Sequence, residues 1–579
     1  MTPRAHRLAA ALVAAFPALT VLADNGLAAY TPVTDARLAS PEPANWLQYR
    51  GNYGGWGYSP LDKINDKNVG KLKLAWSLAT GQIEGHQSPP IVNNGYMYVT
   101  TPGAQVIALD AASGAELWRY KKEIPGDLMQ LHPTNRGVAL YGDKVYVATV
   151  DAHVVALDAK TGKVLWSKAV GDSKALQYIT LAPLAAKGKI MVGSSGGETG
   201  VRGFVVALDA QTGNEAWRTF TTAAPGEPGG DTWPGDTHKN GGGTVWITGT
   251  YDPATNLAYW GTGNPAPWPT EGRKGDNLYT TSAIALDVDS GAIKGHHQYH
   301  HNDAWDWDEV SAPLLIDTEV KGKKVKAAVH AGRNGYLWML ERQASGKIDF
   351  IDAQPYVHNN VITAIDKKTG RPSYNAAHTP GAGKAVGFCP SLWGGKDWPP
   401  EAWNPKTGLF YIPANNNLCS ELPAAEPTKY KKGDLYIGYP IEGVLGSLRY
   451  KDGKPPATIG ELQAWDLKTG KMAWSHKFDT HLWAPLLTTG GNLVFAGGTN
   501  DRQFRAFNAS TGKVLWQTAM PSGVTGVPTS FEVGGEQYVA VQAGWGVDAQ
   551  RMQNGIDTLM GKKTAVPQGG TVMVFKLEK

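Results

Sequence analysis

An all-β, eight-bladed β-propeller is the fold the sequence predicts, on three observations: a turn motif that recurs along the chain, a composition suited to strands, and a C-terminal strand without a turn motif of its own. The motif is Ala, any residue and Asp, then Ser or Thr three residues and Gly four residues after the Asp, often with Trp eight residues after it. Its anchors are Asp110, Asp158, Asp209, Asp287, Asp366, Asp466 and, in the last copy, Asn508, followed by Gly114, Gly162, Gly213, Gly291, Gly370, Gly470 and Gly512. Trp118, Trp166, Trp217, Trp474 and Trp516 fill the last position. The 70 glycines, 37 prolines, 21 tryptophans and 23 tyrosines among 579 residues favour short strands, tight turns and aromatic packing over long helices.

Each copy reads as a β-hairpin. An alternating strand such as VVALDA enters a turn in which Asp accepts hydrogen bonds from backbone amides and Gly takes a positive φ, and the return strand ends in Trp. Spacings of 48, 51 and 42 residues between Asp110 and Asp158, Asp158 and Asp209, and Asp466 and Asn508 suit four-stranded blades. Gaps of 78, 79 and 100 residues in the middle imply blades with long insertions, and such loops usually build the site. The eighth unit comes from the ends: the tail TVMVFKLE and the hairpin closed by Trp76 share one blade. That closure removes exposed sheet edges. At each junction the Trp is expected to cover the neighbouring turn.

Residues 1–29 read as a secretory signal: Arg4 and Arg7 precede an apolar run from Leu8 to Ala23, with small residues offering cleavage near Ala23 or Ala29. A single propeller domain is then expected over residues 30–579, in an exported, periplasmic protein. Pro17 interrupts a run already short for a bilayer, so no membrane span is expected. The formal charge of +4 comes without a Lys/Arg-rich run of the kind that grips phosphates, which argues against a nucleic-acid partner. Cys389 and Cys419 are the only cysteines. In an oxidising compartment they can close one disulfide, contributing about 3.5 kcal/mol in the chain-entropy model; the alternative is two buried thiols. No CxxCH haem-attachment motif is present.

The middle insertions contain runs unlike packing sequence: GSSGGETGVRG around Glu198, GGGTVW around Trp246, GTGNPAPW around Asn264, NDAWDWDE around Asp306 and GRNGY around Arg333. With GGKDWPPEAWNPKTGLFYIPANN, from Gly394 to Asn416, these runs in this order resemble the pyrroloquinoline quinone (PQQ)-dependent alcohol and methanol dehydrogenases over essentially the whole mature chain. The resemblance implies that Glu198 and Asn264 hold a metal ion through hard oxygen donors, which suit a Ca²⁺-like ion. It makes Asp306 the base that accepts the substrate hydroxyl proton and Arg333 a donor to the quinone oxygens. It places Trp246 beneath the cofactor plane, with Thr180, Ser195, Gly196, Gly197 and Thr244 at the rim and Arg136 at the carboxylates. Asp397, Trp483 and Trp545 match further cofactor-side positions, and Gln87 stands where the family often has Glu.

Asp308 stands two residues beyond Asp306, on the same side of an extended segment. Both carboxylates could reach one ion with Glu198 and Asn264, and the family resemblance makes an aspartate here the mark of lanthanide-dependent members. A lanthanide is therefore expected over Ca²⁺, the alternative being that Asp308 caps a turn or pairs with a lysine. The family's adjacent cysteines are replaced by Gln130 and Leu131, which implies a differently shaped cover and room for a larger alcohol. The histidines at 296, 297, 300 and 301 read as a polar rim loop rather than a metal cluster. The implied function is oxidation of an alcohol, either a simple primary one or a bulkier secondary alcohol, sugar or polyol. Electrons would pass to a separate acceptor such as a soluble cytochrome c. A non-enzymatic propeller scaffold is the competing reading, and it has no use for the set Glu198, Asn264, Asp306 and Arg333.

Overall fold

A computed structural model describes residues 29–320 and 322–578; most of the expected signal, residues 1–28, lies outside the described residues. Eight sheets carry the chain, all antiparallel save that Tyr58–Ser59 joins the edge of one in parallel. Seven of them span residues 91–121, 138–169, 184–220, 250–298, 314–355, 402–477 and 487–519. The eighth joins the termini: Leu72–Ala79 pairs with Thr571–Leu577, which continues into Glu536–Ala543 and Thr529–Val533. The propeller and its shared terminal blade are as expected, and among the described residues no helix is long and apolar enough to cross a membrane.

The repeated turn works as its chemistry requires. Asp110 Oδ1 accepts from the amides of Ala112 and Ser113 at 2.9 and 2.8 Å, and Asp158 and Asp209 do the same in the next two blades. A bulge falls just before each Trp, where Ala108 faces Trp118 but Leu109 faces Glu116. Each indole then reaches the next blade. Trp76, Trp118, Trp166, Trp217 and Trp474 donate to the carbonyls of Ala111, Ala159, Ala210, Val288 and Ala509, and Trp516 closes the circle on Leu72.

The turn glycine lies under that indole. At Gly162, φ is +70° and a Cβ would sit 2.6 Å from Trp118 Cε3, so a side chain is excluded both by conformation and by contact. Gly162→Ala is accordingly expected to destabilise the protein by about 2 kcal/mol or more. A thermal or urea unfolding midpoint equal to wild type would refute this account of the junctions.

One motif copy marks something other than a blade. The Asp366 turn joins Ile362–Ile365 to Pro372–Tyr374, a two-stranded excursion outside the eight sheets. The blade at 314–355 instead has a degenerate copy in which Ser345 and Gly346 keep the turn, Arg342 replaces the Asp and Phe350 replaces the Trp. Arg342 is committed elsewhere, to Asp252 and Asp317. Phe350 covers the turn of the excursion and not that of the next blade: a Cβ on Gly370 would meet its ring at 2.6 Å.

Cys389 and Cys419 form the expected disulfide. The loop it closes carries Leu392, Trp393 and Asp397, which line the same cavity as Asp306 and Arg333. Replacing both cysteines by Ala is expected to lower stability by about 3.5 kcal/mol, read as a shift of the urea midpoint under non-reducing conditions. An unmoved midpoint would show that packing alone holds this loop.

Candidate active site

The blade insertions enclose a cavity of about 320 Å³. Trp246 is part of its wall, delivered by a stretch in which Gly242 and Gly243 take φ of +70° and +66°. Arg136, Thr180, Ser195, Gly196, Glu198, Asp306, Asp308, Arg333 and Asp397 share that cavity. Most of the predicted site residues are thus brought together from sequence positions as far apart as Arg136 and Asp397, a separation of 261.

The segment NDAWDWDE is organised by residues that sequence reasoning did not single out. Asp303 Oδ2 accepts from the amides of Trp305 and Asp306 at 3.2 and 3.0 Å, while its Oδ1 lies 2.9 Å from His300 Nε2. Trp305 and Trp307 are fully buried and stacked 5.1 Å apart. Asp306 and Asp308, which alternate with them, face the cavity. Asp306 has φ +60°, a left-handed conformation uncommon outside Gly, Asn and Asp. Glu309 performs the matching task for Arg333: it accepts from the amides of Arg333 and Asn334 at 3.1 and 3.2 Å and lies 2.6 Å from His330 Nε2.

Asp308 is held on three sides. Its Oδ1 accepts from the Asn264 amide at 2.7 Å, and its Oδ2 accepts from Trp246 Nε1 and Arg333 Nη1, each at 3.2 Å. The adjacent Gly263 makes this possible, because a Cβ there would sit 2.3 Å from Asp308 Oδ1. Asp308 therefore neither caps a turn nor pairs with a lysine. Arg333 Nη2 reaches Asp397 at 3.3 Å and the Leu392 carbonyl at 3.0 Å, and it stands 4.0 Å from Asp306.

Burial pushes the Asp306 carboxyl well above its ordinary range, the Asp308 carboxyl up to about 7, and Asp397 upward, with the Arg333 guanidinium opposing the rise in each case. Burial also works against the Arg333 charge, but Asp397, Asp306 and Asp308 together hold its pKa above the usual value. Negative charge is in excess around this one guanidinium. Asp306 Oδ1 and Arg333 Nε are buried without a hydrogen-bond partner. Hard oxygens in excess and an unpartnered acceptor beside an unpartnered donor fit a bound cation and an oxygen-rich ligand.

Arg136 lies between two indoles, 5.0 Å from the Trp246 ring and 4.8 Å from Trp398, and donates to Thr180 Oγ1 at 2.7 Å. Gly197, Thr244 and Asn264 stand just behind the wall: a Cβ on Gly197 would be 3.3 Å from Thr244 Oγ1 and 3.6 Å from Asn264 Oδ1. Gln87, Trp483 and Trp545 are buried but are not among the residues lining the cavity. The two indoles flank His481, at ring distances of 6.5 and 5.6 Å. Among the described residues no three His, Cys, Asp or Glu side chains form a self-contained metal cage.

The histidine run is not a rim loop. His297 lies between Trp338 and Phe350, and His300 is fully buried between Asp303 and Glu309. A second unforeseen group lines the cavity: Tyr178 OH lies 3.0 Å from His132 Nδ1, and Asp548 and Arg551 lie 3.4 and 3.0 Å from His132 Nε2. Arg551 also donates to the Leu131 carbonyl at 2.7 Å, so ionic contacts hold the segment where the adjacent cysteines are missing.

A propeller with a carboxylate-rich, indole-walled cavity matches the quinoprotein-type dehydrogenases in sequence and in structure. The family described as "PQQ: Glucose/ethanol/alcohol dehydrogenase, beta-propeller domain" matches residues 46–361 and 345–539. The chain belongs to this family of PQQ-dependent alcohol dehydrogenases. It is 38% identical to quinoprotein alcohol dehydrogenase PedH of Pseudomonas putida, over 91% of this chain and 90% of that protein. It is 37% identical to the lanthanide-dependent methanol dehydrogenase of Methylacidiphilum fumariolicum, over 93% of each. Among solved structures, a europium-containing methanol dehydrogenase superposes with a TM-score of 0.87 at 35% identity, over 94% of this chain and all of that one.

Proposed function

We propose that the protein is a periplasmic enzyme oxidising an alcohol to an aldehyde or ketone, with residues 1–29 as export signal and one catalytic propeller over residues 30–579. The observation that carries the reading is the juxtaposition of Asp306 and Arg333, each with a buried polar atom free to face a ligand. PQQ, when bound, would supply the hydride acceptor for the carbinol carbon, and a metal ion would supply Lewis acidity. Trp246 offers the face for a planar cofactor, and Arg333 donates to its oxygens. Glu198, Asn264, Asp306 and Asp308 hold the ion, and with three carboxylates among them we favour a lanthanide over Ca²⁺. Asp306 accepts the hydroxyl proton at its carboxylate, with Asp303 fixing its backbone. Electrons leave to a separate carrier such as a soluble cytochrome c.

The test is a dye-linked assay of purified protein with PQQ and either Ca²⁺ or La³⁺ across an alcohol panel. Alcohol-dependent dye reduction requiring both PQQ and a metal is the expected result. Its absence with every alcohol and both ions would overturn the proposal.

A further inference from the structure

A second cavity, of about 50 Å³, lies where the inner edges of five consecutive blades converge. Val138, Leu184, Thr250, Leu314 and Glu401 line it, and each belongs to the first strand of its blade or directly precedes it. These walls continue from those of the carboxylate-rich site: Arg136 leads to Val138, Trp246 to Ile247 and Asp397 to Pro400. The two cavities are therefore stacked on the propeller axis. Residues 47–53 supply most of the remaining lining of the second.

Arg50, in that N-terminal segment, sets the chemistry. It is 6% exposed, and its Nη2 donates to the carbonyls of Glu401 and Leu486 at 2.6 and 2.7 Å. Its Nε and Nη1 are buried without a hydrogen-bond partner, and so is the hydroxyl of the adjacent Tyr49. Gly57 makes room for the guanidinium, because a Cβ there would collide with Arg50 Nη2. The neighbouring hydroxyls are committed: those of Tyr53, Thr248 and Thr250 donate to main-chain carbonyls at 2.9, 2.7 and 2.9 Å. Glu401 is held by Lys396 at 3.4 Å, and Lys396 also donates to Ser311 Oγ at 3.2 Å.

Lys396 and Glu401 offset one another, which leaves the Arg50 charge uncompensated among groups that donate. Burial lowers the Arg50 pKa only to about 10, so the guanidinium is charged at neutral pH. A buried charge without a counter-charge is costly. Water would satisfy the N–H groups but not the charge, whereas a monovalent anion satisfies both. A water-sized sphere needs about 10–15 Å³ on this measure, so the space admits a chloride-sized ion with a water or two and excludes larger organic anions.

We infer that Arg50 and Tyr49 form a halide site on the propeller axis, in which a chloride ion pairs with the guanidinium and fastens the N-terminal segment to the five surrounding blades. The site stands apart from the alcohol chemistry and does not depend on it.

Crystals of the protein grown in sodium bromide test the site directly. An anomalous peak within about 3.5 Å of Arg50 Nε and Nη1, at hydrogen-bond range for a large anion, is expected. Density there that carries no anomalous signal would overturn the inference. Thermal unfolding gives the solution counterpart: sodium chloride is expected to raise the midpoint by about 2 °C or more over sodium gluconate at equal ionic strength, gluconate being too large to enter. The shift should vanish in Arg50→Met. If that variant does not fold, Tyr49→Phe, which keeps the ring and removes one donor, should raise the chloride concentration for half the shift about tenfold, the worth of one hydrogen bond to a charged group. Equal midpoints in the two salts, or a shift that survives unchanged in the variant read, would place any halide effect elsewhere and overturn the assignment.

Discussion

Replacing Asp306 by Asn is expected to lower kcat by a factor on the order of 10³, the range supplied by a positioned general base. The amide keeps the size of the side chain but cannot accept the hydroxyl proton. Fold retention is expected for a specific reason: Asp306 has φ +60°, which Asn adopts at least as readily as Asp. The amide that donates to Asp303 is also unaltered. Arg333, 4.0 Å away, favours the ionised form that a base needs, against the burial that disfavours it. The measurement is steady-state dye reduction, with PQQ retention followed by absorbance in the same sample. Near-wild-type turnover at full cofactor loading would take Asp306 out of the proton-accepting role.

Asp308→Ala is expected to reduce lanthanide-supported activity on the order of 10- to 100-fold, the usual cost of disturbing a metal site's supporting groups, and Ca²⁺-supported activity far less. The asymmetry is the informative part. Asp308 also receives hydrogen bonds from Trp246 and Arg333, so its loss disturbs their placement whichever ion is present. Equal losses with La³⁺ and Ca²⁺ would therefore assign Asp308 to holding Arg333 and Trp246, with no preference for a trivalent ion. Titrating metal-free, PQQ-bound protein with each ion and reading cofactor absorbance gives the relative affinities independently of turnover.

The propeller was legible because its signal is local and repeated. An Asp that binds two amides, a glycine with positive φ and an indole eight residues on are all visible within a dozen residues. The Asp366 copy misled for the same reason: a turn motif specifies a turn, and only long-range pairing decides whether its strands join a blade. Site residues within sequence runs, such as Glu198, Asp306, Asp308 and Arg333, were readable together. Those acting from behind were not. Asp303 and Glu309 stood in plain view in NDAWDWDE, but their orienting roles depend on His300 and His330. Asp548 and Arg551 carry no local mark, and meet His132 only through packing between segments over 400 residues apart. The apolar stretch LYIGYPIEGVL at 435–445 was visible in the sequence, but only the fold brings it to the cavity.

The pairing of Leu72–Ala79 with Thr571–Leu577 sets a schedule for synthesis. The first of these strands emerges nearly 500 residues before its partner exists. At 5–20 residues per second, that is roughly half a minute to two minutes in which the nascent chain carries an unmatched strand and a Trp516 acceptor, Leu72, without its closing blade. An edge of that kind invites pairing with other chains. Local hairpins can form as they appear, but the ring as a whole cannot, so loss of the last few residues is equivalent to never finishing the protein. Truncation at the C-terminus should therefore be recorded as aggregation during production rather than as reduced activity of a soluble product.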